Sequence, residues 1–472
     1  MILLEDCDGE QPLKGGAYQS VPPMPGIPKT TAFPQYFETT IANGLRLLVI
    51  EHHSLPIVSL RLVIRNGSLY DGSLPGLASM TGELLTKGTA SRTAREIAEE
   101  IDFVGGQLAS GSDWDANFVT LNILREHLDT GLCLMEDIAL HPTFPHEEID
   151  RLRDQRIATL LQKQDDPGFL ADRVFAETVY DSHPYARQIL GTKKSLTELH
   201  RDDLVQFHST AYVPNNAILA VAGDISPVEA VDKVLAMCEK WKRKDIFPTR
   251  FPEISPMRTT QVVVVDKPGA VQSAIRMGHV GIARKSDDYI RTYVLNTLFG
   301  GYFQSRINQN LREAHGYTYG ANSLFDARQY EGPFTVSVDV RNEVTDSAIS
   351  EILYEMRRIC TERIDESELS TVKSYIIGSL PLQIETPSQI ASRAISIELY
   401  GLPKTFYSTL NENVAAITAI DLQDMAEKYF HPDTLAIIIA GDAKVVESLL
   451  KKFGSVTVID AEGNLLSAER IK

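Results

Sequence analysis

The side chains able to support metal or hydrolytic chemistry are dispersed along this chain. Four cysteines, Cys7, Cys133, Cys238 and Cys360, stand far apart with no C-x-x-C spacing. Neither a zinc knuckle nor a disulfide framework is implied. His52 and His53 adjoin the end of a strand pattern. His141 and His146 bracket "PTFP", whose prolines prevent one helix from presenting both imidazoles a turn apart. Neither H-E-x-x-H nor H-x-x-E-H occurs, and there is no G-x-S-x-G elbow or Walker loop. One polar face invites chemistry all the same. In "GLASMTGELLTKGT" (Gly76–Thr89), Leu77, Met80, Leu84 and Leu85 recur at helical spacing, and Lys87-Gly88 reads as the exit. Ser79, Gly82 and Glu83 fall on the other side. A hydroxyl and a carboxylate four residues apart share a face, but without imidazole or thiolate they do not make a zinc site.

Elements that would position such a helix are legible on both sides of it. "YFETTIANGLRLLVIEHH" gives two strands around Asn43-Gly44, a strong hairpin signal. "IVSLRLVIRNGS" alternates as a third strand. "TAREIAEEIDFVGG" is a helix with Thr93 as N-cap, Glu96 completing a capping box and Gly105-Gly106 ending it. Further on, "QVVVVDKPGAVQSAIRMGHVGI" again reads as two strands around a Pro-Gly turn. A helix in "YIRTYVLNTLF" and alternating strands in "YTYGANSLF" and "GPFTVSVDVR" follow.

A long-range repeat organises these elements. "DLVQFHSTAYVPNNAILAVAGD" (Asp203–Asp224) and "DLQDMAEKYFHPDTLAIIIAGD" (Asp421–Asp442) align without a gap at an offset of 218 (421 − 203). Each is a helix, a Pro-marked turn and a buried strand ending in Ala-Gly-Asp. The division this implies is an extended Pro/Gly-rich arm over 1–34, a first domain over 35–241, a Pro-rich linker over 242–257 and a second domain over 258–472. Runs of strands and runs of helices within each unit indicate α+β with mainly antiparallel sheets.

At 472 residues, 43% hydrophobic and 23% charged, the composition is that of a globular protein of two or three domains. The net charge of −17 argues against nucleic acid as a partner. No apolar run is long enough to cross a bilayer. The opening "MILLEDCDGEQPLKGG" lacks the form of a signal peptide. The expected compartment is therefore cytoplasmic, or periplasmic if an upstream signal has been removed.

With "NGLRLLVIE", "HPYARQILGT", "YVPNNAILAVAGD", "KPGAVQ" and "SRINQNLREAHGYTYG" added to the helix above, the chain resembles the pitrilysin/insulinase family of inverted-zincin metallopeptidases. The likeness is to the two-domain, mitochondrial-processing-peptidase-like branch and covers almost everything after the arm. It implies two homologous tandem domains, each a mainly antiparallel sheet packed with helices, in a clamshell. Catalytic members carry H-x-x-E-H at the position of "SMTGE", where two imidazoles bind zinc and the Glu activates its water. Here Ser79 stands for the first His, Gly82 for the base and Glu83 for the second His. The family's third ligand is a Glu just before a turn like "DDPG". In "RIATLLQKQ" (Arg156–Gln164), Ala158–Leu160 offers no carboxylate. The zinc motif is thus degenerate, and no metal or other cofactor is expected in this chain.

The resemblance also implies a catalytic pair in the second half, an Arg and a Tyr brought to the substrate. In "LREAHGYTYG" they fall at Arg312 and Tyr319. A guanidinium and a phenol near a scissile carbonyl stabilise the charge that builds on its oxygen. Read without the family, Arg312 is a cation in the last turn of a helix ended by Gly316, and Tyr319 is an aromatic alternating with Tyr317 and Ala321 on a strand. "GGYFQSR" lacks the long Gly-rich loop of the noncatalytic mitochondrial subunit, which points to the bacterial-type heterodimer. The function implied is the metal-free subunit of a zinc endopeptidase, inactive alone. Its partner would be a homologous chain bearing H-x-x-E-H and zinc, and its substrate a peptide. The alternative is an inert assembly subunit like the core proteins of respiratory complexes.

Overall fold

Two sheets carry the chain. The computed structural model describes residues 33–468. The arm read over 1–34 lies outside the described residues except for its last two, and Cys7 lies outside as well. The first sheet contains β1 (Phe37–Thr40), β2 (Arg46–Glu51), β3 (Ile57–Ile64), β4 (Gln107–Ser112), β5 (Asn117–Leu124) and β6 (Ala217–Gly223), in the order β1-β2-β6-β3-β5-β4. The second contains β7 (Gln261–Asp266), β8 (Gln272–Val280), β9 (Ala321–Phe325), β10 (Pro333–Arg341), β11 (Ala436–Gly441), β12 (Val456–Ile459) and β13 (Leu465–Ala468), in the order β13-β12-β7-β11-β8-β10-β9. Only β2/β6, β7/β11 and β7/β12 pair in parallel. The architecture is the mainly antiparallel α+β fold the patterns indicate.

The hairpin at Asn43-Gly44 forms. Gly44 takes φ +98°, and the Asn43 side chain accepts from the Leu45 N–H at 3.1 Å. The strands either side of the later Pro-Gly turn, β7 and β8, do not pair with each other, because β11 inserts between them. β6 inserts between β2 and β3 in the same way. The two segments aligned at an offset of 218 therefore supply strands with equivalent places in their sheets. Every residue of β6 and of β11 is buried. Such uniformly apolar strands need cover on both faces.

That cover is exchanged between the halves. Four helices matter here: α1 (Leu77–Leu84), α2 (His146–Lys163), α3 (Pro167–Tyr180) and α4 (Pro387–Tyr400). α3, from the first half, packs on β8 and β11 of the second sheet, while α4, from the second half, packs on β2, β3 and β6 of the first. Leu170, Ala171 and Val174 meet Ala274, Ile438 and Ala440 in one core. Ile390, Ala394 and Ile397 meet Leu48, Ile218 and Ala220 in another. Both helices start on a proline at the first turn, where a missing N–H costs nothing, behind a capping Asp166 or Thr386.

A polar junction fixes the halves together. Asp115, 2% exposed in the β4–β5 turn, accepts from the Tyr185 hydroxyl (2.8 Å), the Tyr400 hydroxyl (3.1 Å) and the Gln329 N–H (2.9 Å). The Arg328 guanidinium lies over the Trp114 ring at 4.3 Å. Residues 242–257 hold no helix or strand, and Phe251 packs against the rings of Tyr70 and Tyr330.

Candidate functional site

α1 is anchored at its start by a buried carboxylate. Asp71 accepts from the N–H groups of Gly76 (2.8 Å) and Ala78 (2.7 Å), two donors the helix cannot satisfy itself. Burial pushes the Asp71 carboxyl up to about 7, against those backbone hydrogen bonds and the nearby Arg187 and Arg156, which act in the other direction. Ala78, Met80 and Leu84 are fully buried and fix the rotation of the helix. Ser79 and Glu83 then face α2.

From α2 comes Arg156, 3% exposed. Its Nη1 donates to Ser79 Oγ at 2.8 Å and its Nη2 donates to Glu83 Oε1 at 2.7 Å. The Ser79 hydroxyl donates in turn to the Ile189 carbonyl at 2.6 Å. A side-chain cation thus sits between Ser79 and Glu83, the two positions at which the resemblance would place imidazoles. The charge of Arg156 is compensated by Glu83, whose Oε1 it holds. The partner of Glu83 is thus a buried cation and not an exposed one. The sequence reading of α2 searched Ala158–Leu160 for a carboxylate and passed over Arg156. The available signal was an arginine nine residues (165 − 156) before the "DDPG" stretch, on a helix that follows a lone carboxylate in "SMTGE".

Gly82 is set apart from Ser79 and Glu83. A Cβ at Gly82 would lie 2.8 Å from the Gly111 carbonyl oxygen on β4 and 2.7 Å from Asn117 Oδ1 on β5. The space beside Gly82 is closed by the sheet. β4 is the edge strand here. The Asp113 N–H to Ala116 carbonyl bond (2.9 Å) sets the alternation of the hairpin, so Leu108 and Ser110 aim their backbone groups away from β5.

Arg312 and Tyr319 lie on the other half. Arg312 ends a π-helical segment, Gln309–Ala314, with Gly316 beyond it at φ +61°. Its guanidinium stacks on the Phe303 ring at 4.2 Å and pairs with Glu313 at 2.8 Å, leaving a third of the side chain exposed. Tyr319 is 95% exposed. It lies in the loop before β9, and not on a strand as its alternation suggests. β9 begins only at Ala321, after the Thr318–Gly320 turn closed by the Thr318 hydroxyl. No hydrogen bond, ion pair or ring contact among the described residues joins either side chain to the α1 cluster.

The outer edge of β9 is already paired. The Asn308 amide accepts from the Ala321 N–H and donates to its carbonyl, each at 2.8 Å, and Asn296 donates to the Ser323 carbonyl at 3.0 Å. His53 is held to Asp224 at 2.6 Å, a hydrogen bond that raises its pKa, while the ring of the adjacent His52 bonds to the Ser54 hydroxyl at 3.1 Å. Among the described residues no three His, Cys, Asp or Glu side chains gather as a metal site. No helix there is long and apolar enough to cross a membrane.

Two family models match the chain: insulinase (peptidase family M16) over residues 46–193, and the peptidase M16 inactive domain over 198–376. A Bacillus subtilis protein described as the uncharacterized zinc protease YmxG is 26% identical over 413 residues, covering 84% of this chain and 97% of that one. A Helicobacter pylori protein described as the non-peptidase homolog YmxG is 22% identical, covering 84% and 91%. Among solved structures, a peptidase M16 inactive domain from Pseudomonas fluorescens superposes with a TM-score of 0.82 at 25% identity, covering 86% of this chain and 98% of that one. A Helicobacter pylori protease shares the fold, with a TM-score of 0.81 at 19% identity, covering 86% and 99%.

Proposed function

We infer the function from the premise that the chain belongs to the insulinase family of peptidases, M16, as a metal-free member. We propose that it is the noncatalytic half of a heterodimeric zinc endopeptidase. A homologous partner would supply H-x-x-E-H, the zinc and the general base. This chain would supply Arg312 and Tyr319 to bind the scissile carbonyl and the oxyanion formed from it. The observation that carries the reading is the contrast between the two sites. The cage is filled by the chain's own Arg156, while the phenol of Tyr319 remains at the surface, 95% exposed and without a partner among the described residues. The free edge of β4, beside α1, suits an extended peptide added as a strand, a mode tolerant of sequence. The compartment in this reading is cytoplasmic, or periplasmic if an upstream signal peptide has been removed.

The test is reconstitution. The chain alone should hydrolyse no peptide and bind no stoichiometric zinc. Mixed with its zinc-bearing partner it should support hydrolysis, and Arg312→Ala or Tyr319→Phe should lower turnover by about 10²–10³, the effect of losing one oxyanion donor. Full activity of the isolated chain with bound zinc would refute the proposal. The description of one relative as a non-peptidase homolog favours the second reading, an inert assembly subunit. That reading wins if both substitutions leave the complex's turnover unchanged while removal of the chain abolishes assembly.

A further inference from the structure

Two adjoining cavities in the second half have no role in the proposed chemistry. The larger, about 330 Å³, lies between β9 and the helix Tyr289–Asn296 and is lined by no charged residue. The smaller, about 100 Å³, contains Arg284 and Arg393 and no carboxylate. Tyr289, Tyr293 and Gln383 line both.

Arg284 is the unusual group. It is 8% exposed, held between the faces of Tyr289 (3.8 Å) and Phe406 (4.6 Å). Its Nη2 reaches only the Tyr407 hydroxyl, at 3.4 Å, and its Nη1 has no hydrogen-bond partner. Arg393 donates to Gln383 at 2.6 Å and lies 5.5 Å from the centre of the Tyr407 ring. The carboxylate that Tyr289 senses, Asp326, is bonded to Arg328 at 2.8 Å. Taking a guanidinium out of water without a counter-ion is costly, and ring faces compensate only in part. A second polar group is also unused: Thr292 is fully buried in the wall of the larger cavity, with no partner for its hydroxyl.

An anion delivered to the smaller cavity would pair with Arg284 Nη1, and a planar two-oxygen group suits the fork of a guanidinium. The neutral volume beside it is within the usual size range of ligand cavities, and its mixture of rings (Tyr289, Tyr293, Tyr375) with uncharged polar groups (Thr297, Asn322, Ser379) suits an aromatic body with polar atoms at its rim. We propose that the paired cavities bind a carboxylate carried on such a body, namely the C-terminal residue of a peptide ending in an apolar side chain. The carboxylate would meet Arg284 and Arg393, and the side chain would lie among Tyr289, Tyr293 and Tyr375, with the Thr292 hydroxyl taking a polar atom of the ligand. This inference does not rest on the peptidase role, and it is tested on the isolated full chain.

The measurement is calorimetric titration with four probes: N-acetyl-phenylalanine, its C-terminal amide, 3-phenylpropionate and inorganic phosphate. The acid should bind at least about tenfold more tightly than the amide, the discrimination expected of a charge-assisted bidentate pair. Arg393→Gln should weaken the acid by about tenfold or more and leave the amide unchanged. Thr292→Val, of equal volume, should weaken both while circular dichroism shows an intact fold. These two variants keep the test valid if Arg284→Gln fails to fold. Equal affinity for acid and amide overturns the proposal. So does phosphate binding as tightly as the acid, which would mark a plain anion site. Binding of 3-phenylpropionate without binding of N-acetyl-phenylalanine overturns the peptide terminus as occupant.

Discussion

Removing Glu83 should destabilise this protein more than replacing Arg156, although the two form one pair. The Arg156 side chain is 4% exposed and that of Glu83 is 43% exposed. Glu83→Ala leaves a guanidinium without its counter-charge in a site water scarcely enters. Breaking a buried pair in this way costs about 3–5 kcal/mol, and discounting for the water that follows the lost carboxylate leaves about 2–4 kcal/mol. Arg156→Met fills much of the same volume with apolar atoms. Glu83 is then hydrated from its open side, and Ser79 keeps its bond to the Ile189 carbonyl. The loss is two hydrogen bonds set against a gain in apolar packing, a net of about 0–1.5 kcal/mol. The double variant should therefore be more stable than Glu83→Ala alone, with a coupling of about 1–3 kcal/mol. Urea unfolding followed by far-ultraviolet circular dichroism on the four proteins reads this directly. If Arg156→Met costs as much as Glu83→Ala, or if the two losses simply add, then the Arg156–Glu83 pair is not what stabilises this face of α1.

Three further outcomes follow from single sites. Gly82→Ala should destabilise by about 1–2 kcal/mol, because overpacking against β4 outweighs the helix propensity gained, whereas the same change at Gly378, with nothing within 4 Å, should stabilise by about 0.5–1 kcal/mol; thermal melts of the pair distinguish them, and equal signs would contradict the contact. Burial raises the Asp71 pKa to about 7 in the folded state, from the ordinary aspartate value near 3.8. Between those values the folded state binds a proton that the unfolded state has released, so its contribution to stability is present at low pH and is lost as pH rises toward 7. The stability of the parent relative to Asp71→Asn should accordingly fall between pH 4 and 7 in urea midpoints, and a rise would reverse the assignment. Asp115→Ala strands the Gln329 N–H and two tyrosine hydroxyls at the junction of the halves and should cost about 2–4 kcal/mol, read as a lowered thermal midpoint.

Some of this was written in local sequence. The hairpin at Asn43-Gly44, the Thr93–Glu96 capping box and the helix over Leu77–Leu84 depend on residues a few positions apart, and they form where the patterns put them. Tyr319 shows where such patterns fail. Period-two alternation continues through "YTYGA", but the turn at Thr318–Gly320 keeps the backbone out of the sheet, so β9 starts two residues later.

The sequence by itself determined the absence of imidazoles from α1, the family likeness and the buried character of β6 and β11. Each is a matter of residue identity or short-range period. Tertiary structure alone decided what Ser79 and Glu83 bind and what covers the two central strands. Arg156 meets Glu83 across 73 residues, and α3 and α4 each lie on the sheet of the opposite half. An amphipathic helix specifies that it must bury a face but not which sheet receives it, and a cation specifies a need for an anion but not which helix carries one. Both are settled only when the whole chain packs.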